Sequence, residues 1–515
     1  MSVSPQSRKA AKNSGDRKAV AQGAGLAVLG RFGALVEAAS FPLFLSLYGA
    51  VAFGAYATIW AIARIATGVT AMGMDVAIQR FAPAMADETA VHRVLKLALL
   101  VSLGASLLAS LAMSIAASSL VGLAEHRAED QESLLGAIRL FAWSLPFWTG
   151  MEVLTAAVRA RRKFGPEIRI RSFYEPSARI VFAVGFAWAG ASVYGLFAAH
   201  FLSMVLAFLL SIGLARQFYD VRLLLAPGRD RPLERRILGY ALPMMPANLV
   251  IRLFSELPIV MLNALLPGSG GTAAAGYYAI ARKVASVLQV VYNAFDYVVT
   301  PLAAYREGQA DRTAVADMYA FSARMMIAVG LLLAAVLIGG RHLLVAALGP
   351  ASAPAADALA ILAAGRFATF LFGQAAATIR TLGTTLWSLM NGLAGLLVMI
   401  ALLFLLVEPL GATGAALAAA AGLIVTRGLP CLEVALIYKI TPYSRALIRP
   451  AMAAAALALL LLGLGEAMRV WHTMVQLGVF LATAVLAPML LVRYGLSEED
   501  AAALGRLGRL LRRGR

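Results

Sequence analysis

Apolar stretches of about 20 to 28 residues recur along nearly the whole of this 515-residue chain. An α-helix needs about 20 residues to cross about 30 Å of hydrocarbon, so each stretch is long enough to span a membrane. Charged residues make up only 14% of the chain, whereas a soluble domain carries about 25%. The polar stretches between apolar segments reach only about 25 residues, too few for an extramembrane catalytic domain. The sequence therefore predicts an all-α polytopic membrane protein.

Polar breaks between the apolar stretches divide the chain into fourteen predicted transmembrane helices, numbered here in chain order. Six lie in the first half, six in the second half, and two follow near the carboxyl end. The predicted ranges are 23–47, 50–73, 94–120, 136–158, 173–190 and 192–215, then 239–266, 276–300, 319–348, 356–380, 384–407 and 412–437, and finally 448–467 and 471–493.

The basic residues fall on alternate sides of these helices. Lys and Arg outnumber Asp and Glu by 45 to 27, and the excess lies in the tails 1–22 and 494–515 and in the loops after predicted helices 4, 6 and 12. Since short cytoplasmic loops retain Lys and Arg, both termini are predicted to be cytoplasmic. The formal net charge of +18 then reflects topology and attraction to anionic lipids, not a nucleic-acid partner.

Two local features complete this layout. Cys431 is the single cysteine, which leaves no disulfide framework and no cysteine-based metal site, and no metal is predicted. At the carboxyl end, Ser497 and Asp500 have capping-box spacing before a segment that alternates leucine and arginine. We expect an amphipathic helix on the cytoplasmic membrane surface there, with a frayed basic tail as the alternative.

Two motif pairs point to an internal repeat. Gly54-Ala55-Tyr56-Ala57 matches Gly276-Tyr277-Tyr278-Ala279 at an offset of 222 residues, and Gly190-Ala191-Ser192 matches Gly411-Ala412-Thr413 at 221. Both pairs relate one predicted helix to the helix six places later, which predicts a parallel repeat with a substrate site between the halves. The predicted domains are an N-lobe at 23–215, a basic cytoplasmic linker at 216–238, a C-lobe at 239–437 and the added pair 448–493.

Charged residues inside the predicted helices are candidates for function, because an ionisable group in hydrocarbon costs several kcal/mol unless it has a partner or a polar cavity. Predicted helices 1, 2, 7 and 8 lean cationic, and the planar arginine fork binds phosphate in two-point fashion. An anionic, phosphorylated substrate is therefore expected. The candidate substrate-binding residues are Arg31, Arg64, Arg252 and Arg282, and the candidate ion-coupling residues are Glu37, Glu256, Asp75 and Asp296.

The alternative is that these charges form structural ion pairs without a ligand. Arg252 and Glu256 are four residues apart on one helix and are expected to pair directly. Arg324 lies near a helix end and is expected to reach the headgroups by snorkelling. Glu152, Glu433, Arg366 and Arg427 complete the set of charges placed inside predicted helices.

Catalytic motifs are absent from the sequence. There is no HExxH, CxxC, Walker or GxSxG motif, and the five histidines are scattered. For His200, which lies inside a predicted helix, a helix-packing hydrogen bond is the expected role. The chain is therefore predicted not to be an enzyme, and no cofactor is expected.

The sequence resembles a known family, the bacterial polysaccharide flippases of the multidrug/oligosaccharidyl-lipid/polysaccharide exporter superfamily. The resemblance covers roughly residues 20–445, although the stretch Pro350–Pro354 shows no shared pattern. It rests on the two six-helix halves, on the basic loop after predicted helix 4, and on Gly30-Arg31-Phe32, Leu45 to Gly49, Phe53-Gly54-Ala55-Tyr56, Met72-Gly73-Met74-Asp75 and Ala77-Ile78-Gln79-Arg80-Phe81.

The resemblance implies that the protein flips an undecaprenyl-pyrophosphate-linked oligosaccharide across the bacterial inner membrane by alternating access. The product would enter surface polysaccharide biosynthesis, as O-antigen of lipopolysaccharide, capsule or exopolysaccharide. Implied partners are the lipid-linked oligosaccharide and membrane lipids, and they could include a polysaccharide polymerase and chain-length proteins. Predicted helices 13 and 14 resemble an extra pair that lines a lipid groove in related peptidoglycan-precursor flippases.

Two other functions stay open. A multidrug exporter of the same superfamily would bind cationic drugs with buried carboxylates, which the cationic lean of predicted helices 1, 2, 7 and 8 disfavours. A membrane glycosyltransferase or polymerase would need a sizeable outer loop for its catalytic residues, and the predicted outer loops are short.

Overall fold

The computed structural model describes residues 33–503, apart from short gaps at 86, 124–130, 162–168, 226–227, 229, 308–310, 383–384, 469–470 and 472. The described chain is helical, with no strands, and helices occupy all fourteen predicted segments. Within the described residues, eight helices, or up to nine if a bent pair is one span, are long and apolar enough to cross a membrane. The prediction of an all-α polytopic membrane protein is confirmed.

The helices of the first half extend from Gly33 to Ala241. In this half α1 holds two consecutive predicted helices, with a break at Gly49. The bounds are α1 Gly33–Thr70, α2 Met74–Phe81, α3 Glu88–Ile115, α4 Ala117–Leu123, α5 Gln131–Ala142, α6 Ser144–Ala160, α7 Glu175–Trp188, α8 Val193–Ala215, α9 Val221–Leu225 and α10 Arg231–Ala241.

The helices of the second half include the longest segments. A six-residue 3₁₀ turn, Pro350–Ala355, precedes α15. The bounds are α11 Met244–Leu265, α12 Gly268–Glu307, α13 Arg312–Gly339, α14 Arg341–Ala347, α15 Ala356–Phe370, α16 Ala375–Leu382, α17 Thr385–Tyr438, α18 Ile448–Ala467, α19 Thr473–Leu490 and α20 Glu498–Ala503.

Small residues allow the helices of the first compact unit, Phe32–Ile280 with Val407–Ala412, to pack closely. In this unit α11 packs on α1, α8 packs on α6 and α7, and α3 packs on α6. Ser102, Ser106 and Ser110 form a fully buried row along α3, in which Ser110 Oγ donates to the backbone carbonyl of Ala142 at 2.8 Å. Such rows let membrane helices approach each other and supply hydrogen bonds where water is absent.

The second compact unit comprises Ala281–Leu406 and the chain from Thr413 onward. Here α13 packs against α15 and α18, and a core of aliphatic and aromatic side chains surrounds Phe321 and Phe370. Ser497 accepts a hydrogen bond from the backbone N–H of Asp500 at 3.1 Å, as the capping spacing predicts. The leucine and arginine segment after Ala503 lies outside the described residues, so its amphipathic helix stays a prediction, as do the domain boundaries drawn from the repeat.

The glycines of the second motif pair both have a positive φ. Gly190 follows α7 with φ 76°, and Gly411 breaks α17 with φ 56°, and each is followed by the next predicted helix. Glycine adopts positive φ without the steric cost that a Cβ would bring. Both glycines thus have a positive φ where one predicted helix passes into the next, and the repeat itself stays a prediction.

Candidate functional site

Two ion pairs lie next to each other in the first unit. Arg64 of α1 lies 3.2 Å from Glu256 of α11, whose side chain is only 1% exposed. Ser255 Oγ also donates to Glu256 Oε1 at 2.9 Å. The Arg64 side chain is one-quarter exposed, so it is partly accessible although the carboxylate that it contacts is buried.

The second ion pair joins Arg252 of α11 to Glu152 of α6, with Nη2 donating to Oε1 at 3.1 Å. Arg171, just before α7, approaches the same oxygen at 3.5 Å. Gly68 of α1 makes room for Arg252, because a Cβ at Gly68 would lie 2.7 Å from Arg252 Cγ. The backbone of α1 thus guides this side chain toward α6.

The expected pairing of Arg252 with Glu256 is therefore wrong. Residues four apart on a helix are neighbours, about 5–6 Å between their Cβ atoms, so the distance allowed it. Helix packing decided otherwise, since Arg64 arrives at Glu256 from α1 and Glu152 offers Arg252 a carboxylate on α6. The two ion pairs still lie one helical turn apart on α11, so Arg64 and Arg252 belong to one group.

Asp75 lies beside this group, on the short helix α2 after the span Ser40–Thr70. Its Oδ1 is buried and accepts no hydrogen bond from the described residues. Burial raises the pKa of this carboxyl, and the charge of Glu152 raises it further. This influence indicates that Asp75 lies near Glu152.

The group can bind an anion. Three guanidiniums (Arg64, Arg171 and Arg252) face two glutamates (Glu152 and Glu256), so the arginines exceed the carboxylates that touch them. Arginine stays charged when desolvated and donates from a planar fork that matches phosphate oxygens. Among the described residues no cluster of three or more His, Cys, Asp or Glu could hold a metal ion.

Within the described residues, none of the remaining predicted site residues is seen in this group. Arg31 lies outside the described residues, and Glu37 lies in α1 with its side chain outside them. Arg282 is half-buried on α12 in the second unit. Asp296, also on α12, accepts from Arg380 Nη2 at 2.8 Å. The structure thus brings Arg64, Arg252 and Glu256 together and places Arg282 and Asp296 on a different helix.

Sequence reasoning missed a second buried network in the first unit. Arg179 and Glu175 of α7 are almost fully buried, 3.5 Å apart, and Arg179 Nη1 donates to Tyr56 OH at 3.3 Å. Tyr56 OH is 2.6 Å from His200 Nδ1, which confirms the packing role expected for that histidine. The i,i+4 spacing of Glu175 and Arg179 inside a predicted helix was the available signal.

Solved structures with the same fold are transporters. The structure titled lipid II flippase MurJ, inward closed conformation, has a TM-score of 0.70 at 10% identity, covering 91% of this chain and 99% of that one. An inward-facing MATE multidrug transporter of the MOP superfamily has a TM-score of 0.63 at 16% identity, with coverages of 83% and 95%. A mutant of the Vibrio cholerae MATE transporter VcmN has a TM-score of 0.59 at 14% identity, with coverages of 81% and 96%.

At these identities the likeness shows the fold alone, which is that of the MurJ and MATE transporters. A comparison with curated protein sequences finds no match. The sequence itself matches a family model over residues 47–349, more than half of the chain. This chain belongs to the family described as polysaccharide biosynthesis protein.

Proposed function

We propose that this protein flips a pyrophosphate-linked oligosaccharide on a polyprenyl carrier across the bacterial inner membrane by alternating access. The observation that carries the proposal is the group formed by Arg64–Glu256 and Arg252–Glu152 among apolar helices. Family membership supports a role in surface polysaccharide biosynthesis, such as O-antigen, capsule or exopolysaccharide. Both termini would be cytoplasmic, and the protein would act as a transporter and not as an enzyme.

In this proposal Glu256 and Glu152 stay paired with Arg64 and Arg252 until the substrate binds. A pyrophosphate offers more negative charge and more acceptor oxygens than one carboxylate, so it competes for Arg64 and Arg252. Arg31 and Arg282 are the further proposed substrate ligands. A displaced carboxylate then needs a counter-charge, and uptake of H⁺ or Na⁺ by Glu256, with Glu37, Asp75 and Asp296 as further candidates, would couple transport to an ion gradient.

The test compares glycan export in cells that carry wild type, Arg64→Ala, Arg252→Ala or Arg139→Ala. Arg139 is an exposed arginine on α5 and is the matched control. We expect the first two variants to accumulate the lipid-linked glycan at normal protein levels, the lysine variants to recover in part, and Arg139→Ala to export normally. Full export by both Arg64→Ala and Arg252→Ala would refute the proposed site.

Coupling is tested separately in vesicles with an imposed proton or Na⁺ gradient. Glu256→Gln keeps a hydrogen-bonding side chain in place but removes the charge that holds Arg64. If Glu256 takes up the coupling ion, flipping by this variant no longer responds to the gradient. An unchanged gradient response in Glu256→Gln would remove this residue from coupling without affecting the proposed substrate.

A multidrug exporter is the second candidate, because two of the neighbours above are MATE transporters. Such a protein would bind organic cations. The group described above contains more arginines than carboxylates in contact with them, which disfavours binding of a cation. Drug-resistance assays on the same variants separate the two functions. Loss of resistance in Glu152→Gln with normal glycan export would favour the drug exporter.

A further inference from the structure

A cleft of about 460 Å³ opens between α2 and α10 of the first unit, and its lining includes no residue of the Arg64 and Arg252 group. These helices lie at the predicted cytoplasmic side, α2 after the span Ser40–Thr70 and α10 after the basic loop. A Cβ on Gly239, in the cleft wall, would meet no atom within 4 Å, so the cleft is open there. Its lining residues are Arg80, Phe81, Met85, Arg236, Gly239 and Tyr240.

Two arginines in the cleft are held by the same aromatic ring. Arg80 Cζ lies 5.9 Å and Arg236 Cζ lies 5.8 Å from the Phe81 ring centroid, and Arg80 also lies 4.2 Å from the ring centroid of Tyr240. The Phe81 and Tyr240 rings meet edge to face at 5.7 Å. Such contacts orient a guanidinium while leaving its N–H groups available to a ligand.

Neither arginine has a carboxylate partner among the described residues. Both side chains are exposed, and neither is within ion-pair distance of a described Asp or Glu. Other arginines on this side do have counter-ions: Arg93 lies 3.8 Å from Asp230, and Arg161 pairs with Glu88. The cleft therefore holds two like charges that the described protein does not neutralise.

The relative position of the two arginines is fixed by the backbone. Gly73, at the start of α2 with φ 68°, lets the chain approach α10 so closely that a Cβ there would lie 2.3 Å from the carbonyl oxygen of Ala241. Ile78 of α2 and Ile237 of α10 are buried in the same apolar core. Both helices thus turn their apolar faces inward and present Arg80 and Arg236 outward as a prearranged pair.

We infer that this cleft binds the phosphate or pyrophosphate group of a membrane lipid. Two guanidinium forks that contact aromatic rings and have no carboxylate partner among the described residues suit a multiply charged phosphate, and the ring contacts lower the entropy cost of binding. The source is either the pyrophosphate of the lipid-linked substrate or the headgroup of an anionic phospholipid. The first source rests on the proposed function and would make the cleft a docking point before the Arg64 and Arg252 group.

The experiment uses the full chain in detergent, with Arg64→Gln and Arg252→Gln already introduced so that the other group contributes little. Binding of farnesyl pyrophosphate and of dihexanoyl phosphatidylglycerol is measured by a fluorescence titration. The test variant adds Arg80→Gln and Arg236→Gln. The control adds Arg235→Gln, which removes an exposed arginine on the same helix outside the cleft.

We expect the test variant to bind at least one probe tenfold or more weakly, while Arg235→Gln stays within twofold of its parent. Weakening for farnesyl pyrophosphate alone identifies the lipid-linked substrate as the source, and weakening for phosphatidylglycerol, with or without farnesyl pyrophosphate, identifies a phospholipid headgroup site. Unchanged binding of both probes, with an unchanged melting temperature, overturns the inference. The binding measurements do not depend on whether the protein flips a glycan. The inference and the proposed function can therefore be refuted independently.

Discussion

Gly54 should be intolerant of even one added methyl group. It begins the first motif of the repeat, and its equivalent Gly276 touches it, because a Cβ on Gly276 would lie 3.4 Å from Gly54 Cα. A Cβ on Gly54 itself would lie 1.8 Å from the carbonyl oxygen of Thr272. The two glycines therefore mark a close approach between α1 and the start of α12.

The size of the effect follows from that distance. Real Cβ atoms essentially never come within 3.0 Å of another heavy atom, so α1 and the start of α12 must separate by about 1.2 Å. The obstacle is a backbone oxygen, which cannot rotate away as a side chain can. Thr272 Oγ1 also donates to Asn263 Oδ1, and Asn263 Nδ2 donates to Thr58 Oγ1, so a buried hydrogen-bond network would move as well. We expect a destabilisation of about 1–3 kcal/mol.

The assay is thermal unfolding of the purified Gly54→Ala protein, together with glycan export in cells. The apparent melting temperature should fall by roughly 2 °C or more. Gly270→Ala is the matched control on α12, because a Cβ there meets nothing within 4 Å, and its stability should be unchanged or slightly higher. A Gly54→Ala protein that melts and exports like wild type would refute the close approach of these segments.

Three further outcomes are expected. Gly68→Ala should push Arg252 away from Glu152, slow glycan export and lower the melting temperature, because the added Cβ meets Cγ near the base of the Arg252 side chain at 2.7 Å; export and melting are measured together. Burial raises the pKa of Asp75. The stability of the wild type relative to Asp75→Asn should therefore be highest below the ordinary aspartate pKa of 3.8 and fall as the pH rises through the raised pKa. Melting curves of the two proteins that keep the same difference at every pH would contradict this. Asp500→Ala should leave the buried Arg324 without the carboxylate 2.9 Å away and lower the free energy of unfolding by about 3–5 kcal/mol. The segment after α19 should then detach, which limited proteolysis would detect.

The helices could be predicted from the sequence because the requirement behind them is local. A backbone that crosses hydrocarbon must satisfy its own hydrogen bonds, so about 20 consecutive apolar residues form a helix whatever its neighbours are. The sequence also predicted a repeat, and Gly190 and Gly411 of its second motif pair both have a positive φ. The sequence also identified which charges, Arg64, Arg252 and Glu256 among them, lie inside apolar helices and must be compensated.

Only the tertiary structure decided how those charges are compensated. Arg252 bonds to Glu152, one hundred residues away, and not to Glu256 on the next turn of its own helix. Arg324, expected to snorkel toward the headgroups, is instead buried against Asp500, which is 176 residues away. A low dielectric makes an unpaired charge so costly that each one takes a partner, but every helix has several neighbours at similar distance. Which carboxylate is within reach depends on helix packing, at positions such as Gly68, and no local pattern in the sequence records it.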